Sequence, residues 1–356
     1  MTSYSDRLES SGGKGHEAGS PSDGPPETTF EARREPGGEA LPFDEAAALA
    51  EGILSEVCRA VVGKRDVIEL ILAGLLADGH VLLDDVPGVA KTLTARSIAV
   101  AAGLDFARVQ FTPDVLPADI TGSLVLDLTT HKPEFRPGPV FANLLLADEV
   151  NRAPAKTQAA LLEAMQERQV TSDRVSYALP RPFLVIATQN PIESEGTYPL
   201  PEAQLDRFLL RTTMGYPSEE DEVTLLADRI ERRKDEVDLR SVCDAATFAA
   251  IQQTLEHVHL DDRLLAYCVA LVRETRAEPQ LAVGSSPRGT LALAKLARAA
   301  ALMAGREFVS PDDIRALVVP ALAHRVVLGD DAWARRANPE DVVRRAVDRV
   351  PAPDQK

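Results

Sequence analysis

Aromatic residues are scarce in this chain of 356 residues, making up 4% of it with a single tryptophan. Proteins often bind single-stranded nucleic acids by stacking the bases on several exposed aromatic rings, and this chain has few aromatic residues to form such a surface. A basic excess is missing as well, because the formal net charge is −16 at pH 7. That charge opposes broad contact with phosphate backbones or anionic membranes, and nucleic acid is therefore not expected as a partner.

Cysteines and long apolar runs are also in short supply. The three cysteines, Cys58, Cys243 and Cys268, are odd in number and have no C-x-x-C spacing, which favours reduced thiols in the cytoplasm. No segment approaches the roughly 18 apolar residues that a membrane-spanning helix needs, and the amino terminus lacks the apolar core of a signal peptide. We therefore expect a cytoplasmic protein without a membrane span.

The remaining composition is that of a globular protein of about two domains, with 45% hydrophobic and 26% charged residues. Residues 1–40 are rich in Ser, Gly, Pro and Glu. They are predicted to form a disordered tail, because they cannot bury enough apolar surface to offset their ordering entropy. The Pro-rich end, residues 349–356, is expected to fray.

Short apolar runs alternate with helical patterns between residues 41 and 215. The predicted strands lie at residues 81–83, 107–111, 144–147, 183–187 and 208–211. Such alternation predicts an α/β core in which a parallel sheet is covered by helices on both faces. Two hairpins interrupt the pattern, one with strands at 124–128 and 134–136, the other with strands at 169–171 and 175–177.

The pattern becomes helical after Pro217. Ser218 is followed three residues later by Asp221, which predicts a capped helix start, and residues 216–237 are assigned to a linker helix. Residues 238–348 are rich in Ala, Leu and Arg with helical spacing and few strand signals. They predict a second, all-α domain of common size.

A strand-to-helix junction at residues 80–92 is the first feature with chemistry. The apolar run 81–83 is followed by a turn containing Pro87 and Gly88, and then by Lys91 and Thr92. In such a loop backbone N–H groups surround a polyphosphate, the lysine reaches its β and γ oxygens, and the threonine hydroxyl binds Mg²⁺. The match to G-x-x-x-x-G-K-[ST] is imperfect, because Asp85 and Ala90 occupy the two glycine positions. An ordinary strand–turn–helix is the alternative.

Two adjacent carboxylates, Asp148 and Glu149, end the apolar strand at 144–147. Successive side chains at a strand end diverge, so the two acids can serve different purposes. Asp148 is predicted to hold Mg²⁺ and Glu149 to polarise an attacking water. The alternative is an acidic surface pair that caps the next helix.

Three further polar residues are candidates for the same chemistry. Asn190 follows the strand at 183–187, where it can orient a water beside a γ-phosphate, although an Asn before Pro is usually a turn residue. Arg207 can complete a neighbour's site as an arginine finger, or be an ordinary ion-pair partner. Arg288, near a helix start, can fold over the nucleotide from the helical domain, or be a solvated arginine. His324-Arg325 either contacts a neighbouring subunit or packs internally.

Taken in this order, the motifs resemble the AAA+ ATPases, and the MoxR family in particular, over residues 42 to 330. The pieces that carry the resemblance are VPGVAKT at 86–92, FRPGP at 135–139, DEVNR at 148–152, ATQNP at 187–191, EAQLDRF at 202–208 and SPR at 286–288. The resemblance implies an AAA+ P-loop core with a five-stranded parallel sheet and inserted hairpins, followed by a small all-α lid domain.

The resemblance also assigns roles to residues. It places ATP on Val62, Gly63, Val86, Pro87, Gly88, Val89, Ala90, Lys91, Thr92 and Leu93, and Mg²⁺ on Thr92 and Asp148. Glu149 completes Walker B, and Asn190, Arg207 and Arg288 become sensor 1, the arginine finger and sensor 2. The hairpins are similar to those that face the pore in ring relatives.

The function that the resemblance implies is Mg²⁺-dependent ATP hydrolysis by a homo-oligomeric ring, a hexamer, with a chaperone-like role for client proteins that often carry von Willebrand factor A domains. Two alternatives stay open: an ATP-gated assembly module with negligible hydrolysis, and a DNA-translocating AAA+ ring. The first depends on Asp85, whose carboxylate repels phosphates unless it points away. On the sequence alone, Asp85→Gly is expected to leave ATP affinity similar or modestly better.

Overall fold

The computed structural model describes residues 39–129, 131–190 and 197–353. The predicted tail at 1–40 therefore lies almost entirely outside the described residues, as does Pro191 of the ATQNP piece. The first region of the chain contains the following elements: α1 (Phe43–Cys58), α2 (Arg65–Leu76), β1 (Val81–Asp84), α3 (Lys91–Ala101), β2 (Phe106–Gln110), α4 (Pro117–Thr121), β3 (Gly122–Leu126), β4 (Pro133–Pro137), β5 (Leu144–Asp148), α5 (Ala155–Glu167), β6 (Gln169–Ser172), β7 (Val175–Ala178), β8 (Leu184–Gln189), α6 (Glu202–Leu205) and β9 (Leu210–Thr212).

The central sheet is the predicted five-stranded parallel sheet, with strand order β2-β5-β8-β1-β9. The three central strands are buried along most or all of their length, as expected for a sheet covered on both faces, whereas the edge strands β2 and β9 are more exposed. The last strand begins later than predicted, because Phe208 N–H donates to Leu205 O and residues 206–208 complete the turn of α6. The carboxyl ends of β1, β5 and β8 lie side by side at one edge.

Both predicted hairpins are present, as β3–β4 and β6–β7. They touch each other through Phe135 and Tyr177, whose rings stack with centroids 3.9 Å apart and planes 13° apart. Leu126 and Leu128 near the tip of the first hairpin are exposed. The two hairpins are thus joined by an aromatic contact that local sequence patterns do not predict.

The second region is helical, as predicted, but it contains one short sheet. Its elements are α7 (Glu219–Arg232), α8 (Ala245–Thr254), α9 (Asp262–Ala277), β10 (Leu281–Val283), α10 (Pro287–Met303), α11 (Pro311–Leu322), β11 (Val327–Leu328), α12 (Asp330–Ala334) and α13 (Pro339–Val347). The antiparallel pair β10–β11 corrects the all-α prediction. Strands of two and three residues are too short to show a period in the sequence.

One hydrophobic cluster joins the sheet to the helical region. It runs from Ile53 on α1 and Leu72 on α2 to Leu293 on α10 and Val318 on α11. The helix α10 packs directly on α1 and α2, so the helical region is anchored on the amino-terminal helices. The boundaries 41–215, 216–237 and 238–348 stay predictions. Among the residues that the structure describes, no helix is long and apolar enough to cross a membrane.

Candidate nucleotide site

The loop between β1 and α3 has the backbone shape that a phosphate-binding loop requires. Gly88 has φ of +87°, and nothing lies within 4 Å of the position that a Cβ would take there. Ala90, which precedes the first residue of α3, is left-handed with φ of +61°. The loop is therefore open on the side of Gly88, and the amino end of α3 carries the partial positive charge that attracts anions.

Lys91 is the first residue of α3, and the residue as a whole is buried. Its Nζ donates a hydrogen bond to Asp85 O at 2.7 Å, so the side chain is folded back along the loop. Burial lowers the pKa of Lys91, and the nearby carboxylates of Asp85, Asp148 and Glu149 act in the opposite direction. Burial removes water from this ammonium group, and a bound polyanion would stabilise its charge in place of that water.

Asp85 points away from the loop opening. Its Oδ2 accepts hydrogen bonds from Met214 N at 2.5 Å and Gly215 N at 2.8 Å, and its Oδ1 accepts one from Val86 N at 2.9 Å. Its backbone φ is not positive, so the missing glycine causes no strain at this position. The carboxylate is engaged by backbone donors, and its repulsion of phosphates is therefore not a reason to expect weak binding.

The acidic pair lies beside the loop, at the end of β5. Asp148 is buried, and its Oδ1 accepts a hydrogen bond from Thr188 Oγ1 at 2.6 Å. Its other oxygen, Oδ2, accepts from Arg108 Nη2 at 2.8 Å. Glu149 is left-handed, with φ of +57°, and its N–H donates to Thr188 Oγ1 at 2.8 Å. The two carboxylates point in different directions because the backbone turns sharply between them.

The carboxylate of Glu149 is held by two donors. Gln110 Nε2 donates to its Oε2 at 2.7 Å, and Arg152 Nη1 donates to the same oxygen at 3.0 Å. Asn190 is buried directly after β8, the strand between β1 and β5. Its carbonyl oxygen accepts a hydrogen bond from Asn151 Nδ2 at 3.3 Å. The predicted sensor residue is thus placed between the phosphate loop and the acidic pair.

A cavity of about 420 Å³ connects the loop with the acidic pair, and Asn190 is not among its lining residues. The residues that line it are Pro87, Gly88, Ala90, Lys91, Thr92, Leu93, Arg108, Gln110, Asp148 and Glu149. Val86 and Val89 belong to the loop, but their side chains pack against the core. The open backbone at Gly88, the cation Lys91, the hydroxyl of Thr92 and the oxygen donor Asp148 fit a triphosphate with Mg²⁺, which prefers hard oxygen ligands.

The predicted adenine-binding segment lies at a separate cavity. Gly63, with φ of +73°, and Lys64 line a cavity of about 320 Å³ with residues of α2, whereas Val62 is not among its lining residues. A Cβ on Gly63 would lie 2.1 Å from Asp221 Cγ, so the segment lies against the start of α7. Lys64 Nζ donates to Tyr216 O at 2.6 Å.

Arg207 and Arg288 lie together, but at the opposite end of β1. Both line a cavity of about 290 Å³ with Gly79 and His80, which precede β1, whereas Lys91 follows it. Arg288 Nη1 lies 3.7 Å from Asp206 Oδ2. Arg288 lies far from Lys91 of its own chain, because α10 packs on α1 and α2 and presents Arg288 at the other end of the sheet. That Arg288 folds over a nucleotide stays a prediction.

Asp206 organises this second cluster. Arg325 is buried, forms an ion pair with Asp206, and donates from Nη2 to Phe208 O at 2.6 Å. His324 Nε2 lies 3.0 Å from the same carbonyl oxygen. Of the two interpretations of His324-Arg325, internal packing is the one that the structure supports. These contacts fix the turn that carries Arg207.

Two residues that line the nucleotide cavity were missed from the sequence. Arg108 and Gln110 alternate along β2, and both reach the acidic pair from the neighbouring strand β5. Their period-two spacing on a strand end was the available signal. It was not usable without knowing that β2 and β5 are neighbours, since Arg108 and Asp148 are 40 residues apart in the chain.

Two family models match the chain. One, described as the ATPase family associated with various cellular activities (AAA), matches residues 80–210, and the AAA lid domain matches residues 273–346. The first region and the helical region are therefore recognised separately, in the order predicted from the motifs.

The chain is similar to curated proteins over most of its length. It is 47% identical over 303 residues to the uncharacterized protein YeaC of Bacillus subtilis, covering 85% of this chain and 94% of the relative. It is 42% identical over 312 residues to Chaperone MoxR1 of Mycobacterium tuberculosis, covering 85% and 82%. A crystal structure of a candidate ATPase from Cytophaga hutchinsonii superposes with a TM-score of 0.81 at 36% identity, covering 88% and 97%. The chain belongs to the MoxR family of AAA+ ATPases.

Proposed function

We propose that this protein is a Mg²⁺-dependent ATPase that forms a ring and remodels client proteins. The observation that carries the proposal is the single cavity in which Lys91, Thr92, Asp148 and Glu149 meet. This set combines a cation for phosphate oxygens, two oxygen donors for a metal and a carboxylate for a water. ATP supplies the phosphoryl group that is transferred to water, and Mg²⁺ neutralises charge that develops on it.

Each residue has a distinct task in this proposal. Lys91 binds and orients the β and γ phosphates from the amino end of α3. Thr92 and Asp148 hold the metal, with Asp148 fixed by the hydrogen bond from Thr188. Glu149 polarises the attacking water, and Asn190 orients that water from the end of β8. Val62 and Gly63 contact the adenine beside the start of α7.

The ring follows from the separation of the cations. Arg207 and Arg288 lie at the other end of β1 and cannot reach phosphates bound at Lys91 of their own chain. We therefore propose that both arginines of each copy contact the phosphates bound by the next copy. A contact between two different surfaces of identical chains closes into a ring when the rotation permits. We propose a hexamer, in which Arg207 stabilises charge on the transferred phosphoryl group and Arg288 acts beside it.

Remodelling of clients is the proposed output. One similar protein is named Chaperone MoxR1, and we extend a chaperone-like role to this chain, with clients that carry von Willebrand factor A domains. The two hairpins are joined by Phe135 and Tyr177, so they would move as one unit toward a pore. We place this activity in the cytoplasm.

The module with negligible hydrolysis loses its main support. It depended on repulsion by Asp85, and that carboxylate accepts three backbone hydrogen bonds away from the cavity. Phosphate release by the wild type and by Glu149→Gln tests the point. We expect at least about a hundredfold lower release with retained ATP binding in the variant. Equal release by both proteins would reject the ATPase.

Mixed rings test the shared site. Arg207→Ala and Lys91→Ala should each abolish hydrolysis, and their mixture should recover part of it, because an intact Lys91 can then face an intact Arg207. Arg288→Ala mixed with Lys91→Ala should recover activity in the same way. If Arg288 served its own chain, that second mixture would contain no complete site and would stay inactive.

A further inference from the structure

The helix α7 stands out because its apolar residues are not covered by any part of the chain that the structure describes. None of its 14 residues is buried. Val223, Leu226 and Ile230 are 63%, 60% and 75% exposed. Isolated helices of this length are marginally stable in water, and most helices in proteins are stabilised by packing of an apolar face. Within residues 39–129, 131–190 and 197–353, the face that would stabilise α7 is therefore uncovered.

The apolar residues of α7 form a stripe rather than a scatter. Val223, Leu226, Ala227 and Ile230 are spaced i, i+3, i+4 and i+7, which places them on one side of the helix. Leu225 lies on the opposite side. Such a stripe is the usual contact face of a helix that packs on another element, and no such element is among the residues that the structure describes.

The start of α7 belongs to the nucleotide side of the molecule. The two residues that Asp85 binds, Met214 and Gly215, precede α7 by a few residues. Asp221 in its first turn lies against Gly63. Whatever covers α7 must therefore approach the molecule beside the phosphate loop.

The surface around Arg207 has the complementary properties. On α10, Arg288, Leu291 and Lys295 are exposed at i, i+3 and i+7, and Leu291 is 65% exposed. All three line the cavity that also contains Arg207. Four acidic residues occupy the first turn of α7, namely Glu219, Glu220, Asp221 and Glu222. On α7, an apolar stripe with acidic neighbours thus faces outward. On α10, an apolar residue between two cations faces outward.

We propose that the Val223–Leu226–Ile230 stripe of α7 docks on the Leu291 surface of α10 in a second copy of this chain. The inference rests on the proposed ring and deepens it, since it names the junction that brings Arg207 and Arg288 to the neighbour's phosphate loop. The acidic first turn of α7 meets Arg288 and Lys295, which sets the orientation of the two copies. The apolar residues supply the affinity, because their burial removes exposed hydrophobic surface from water.

Sedimentation velocity of the full chain with a non-hydrolysable ATP analogue tests the junction. Leu226→Glu should raise the concentration needed for assembly by at least about tenfold, as expected for a central apolar contact. Leu225→Glu is the matched control on the other side of the same helix and should assemble like the wild type. Nucleotide binding by the isolated subunit should persist in both variants, because neither residue lines the nucleotide cavity.

A compensating pair gives the second arm. Leu291→Lys alone should weaken assembly, and Leu226→Glu with Leu291→Lys in one chain should restore it, because the two new charges then meet across the junction. Assembly of Leu226→Glu at the wild-type concentration, or equal loss in Leu225→Glu, would overturn the proposed junction while the ring remains. A wild type that stays monomeric with the analogue would instead overturn the ring itself, and the junction with it.

Discussion

Arg108 and Asp148 form an ion pair, 2.8 Å apart, across the strands β2 and β5. Asp148 is the carboxylate proposed to hold Mg²⁺, so the Arg108 guanidinium neutralises part of the charge of the proposed metal ligand. Arg108 also lines the nucleotide cavity with Lys91. The pair therefore opposes binding of a metal without nucleotide.

Arg108→Gln is expected to strengthen binding of the free metal. Removing one positive charge beside Asp148 should tighten Mn²⁺ binding by nucleotide-free protein roughly fivefold, after allowance for the partial exposure of Arg108. Electron paramagnetic resonance of Mn²⁺ measures this directly. Arg96→Gln on the exposed side of α3 is the control and should change nothing. Weaker Mn²⁺ binding by Arg108→Gln would show that the arginine supports the metal site.

Asp85→Gly is now expected to be harmful. The carboxylate joins the end of β1 to Met214 and Gly215, and hydrogen bonds to a charged group contribute about 1.5–3 kcal/mol each when their loss leaves buried donors unpaired. We expect a stability loss of at least about 2 kcal/mol and weaker ATP binding, because Lys91 is hydrogen-bonded to the Asp85 carbonyl. Urea unfolding and calorimetry measure the two effects. Unchanged stability would contradict the structural role.

Ala90→Gly should increase the stability of the fold, in contrast to Asp85→Gly. Ala90 is the residue of the loop that bears positive φ without being glycine, and left-handed backbone costs an L-residue about 1 kcal/mol. The substitution should raise stability by roughly that amount, less the entropy that glycine adds to the unfolded chain. Thermal unfolding with and without nucleotide checks it. A lower melting temperature would show that the alanine side chain makes contacts that outweigh the strain.

Arg325→Met should destabilise the turn that carries Arg207. Arg325 is buried and paired with Asp206, and breaking a buried pair from one side costs about 3–5 kcal/mol because the other charge is left uncompensated. Arg315→Met, which removes an exposed pair with Asp348, is the control and should cost less than about 1 kcal/mol. Urea unfolding compares them. Equal losses would contradict a special role for the buried pair.

Acid should destabilise the fold before carboxylates are titrated. Burial lowers the pKa of His80 to about 4 and that of His324 to about 3, from an ordinary value of 6.5. Between pH 6.5 and about 4 the unfolded chain binds protons at these positions and the folded chain does not. Stability is therefore full above pH 6.5 and falls as the pH drops, by roughly 3 kcal/mol for His80 across its whole range.

The geometry of His80 explains this neutrality and suggests the variant. Its Nδ1 accepts from Val185 N at 3.0 Å, and its Nε2 lies 3.2 Å from Met165 O, so a proton on Nδ1 would face a donor. His80→Gln should lower stability at pH 7.5 and give a flatter dependence between pH 6.5 and 4.5. Melting temperatures across that range measure the slope. An unchanged slope would show that other groups cause the acid sensitivity.

Several features could be predicted from local sequence. The strand β5 is an apolar run that ends in Asp148 and Glu149, and β1 is an apolar run that ends in the loop before Lys91. Both patterns are local, because the apolar residues of a short buried strand and the polar residues at its end follow one another in the chain. The sheet and the phosphate loop were therefore predictable, with strand ends shifted by one or two residues.

Other features depend on residues far apart in the chain. The sequence shows that Asp85 carries a carboxylate in the phosphate loop. It does not show that this carboxylate points toward Gly215, 130 residues away. Arg288 is predicted from the sequence to fold over a nucleotide, and only the packing of α10 shows that it lies at the far end of β1 from Lys91 of its own chain. The exposed stripe of α7 has the same spacing as a buried stripe, so the sequence alone does not show that the described part of the chain leaves it exposed.

The sequence by itself determined the parallel sheet, the phosphate loop and the acidic pair, since each arises from residues that follow one another along the chain. The tertiary structure decided which way Asp85 points, what Arg108 neutralises, and that Arg207 and Arg288 lie at the far end of β1 from Lys91. The physical reason is that a side chain's partners are set by which elements pack together, and that packing is a property of the whole hydrophobic core.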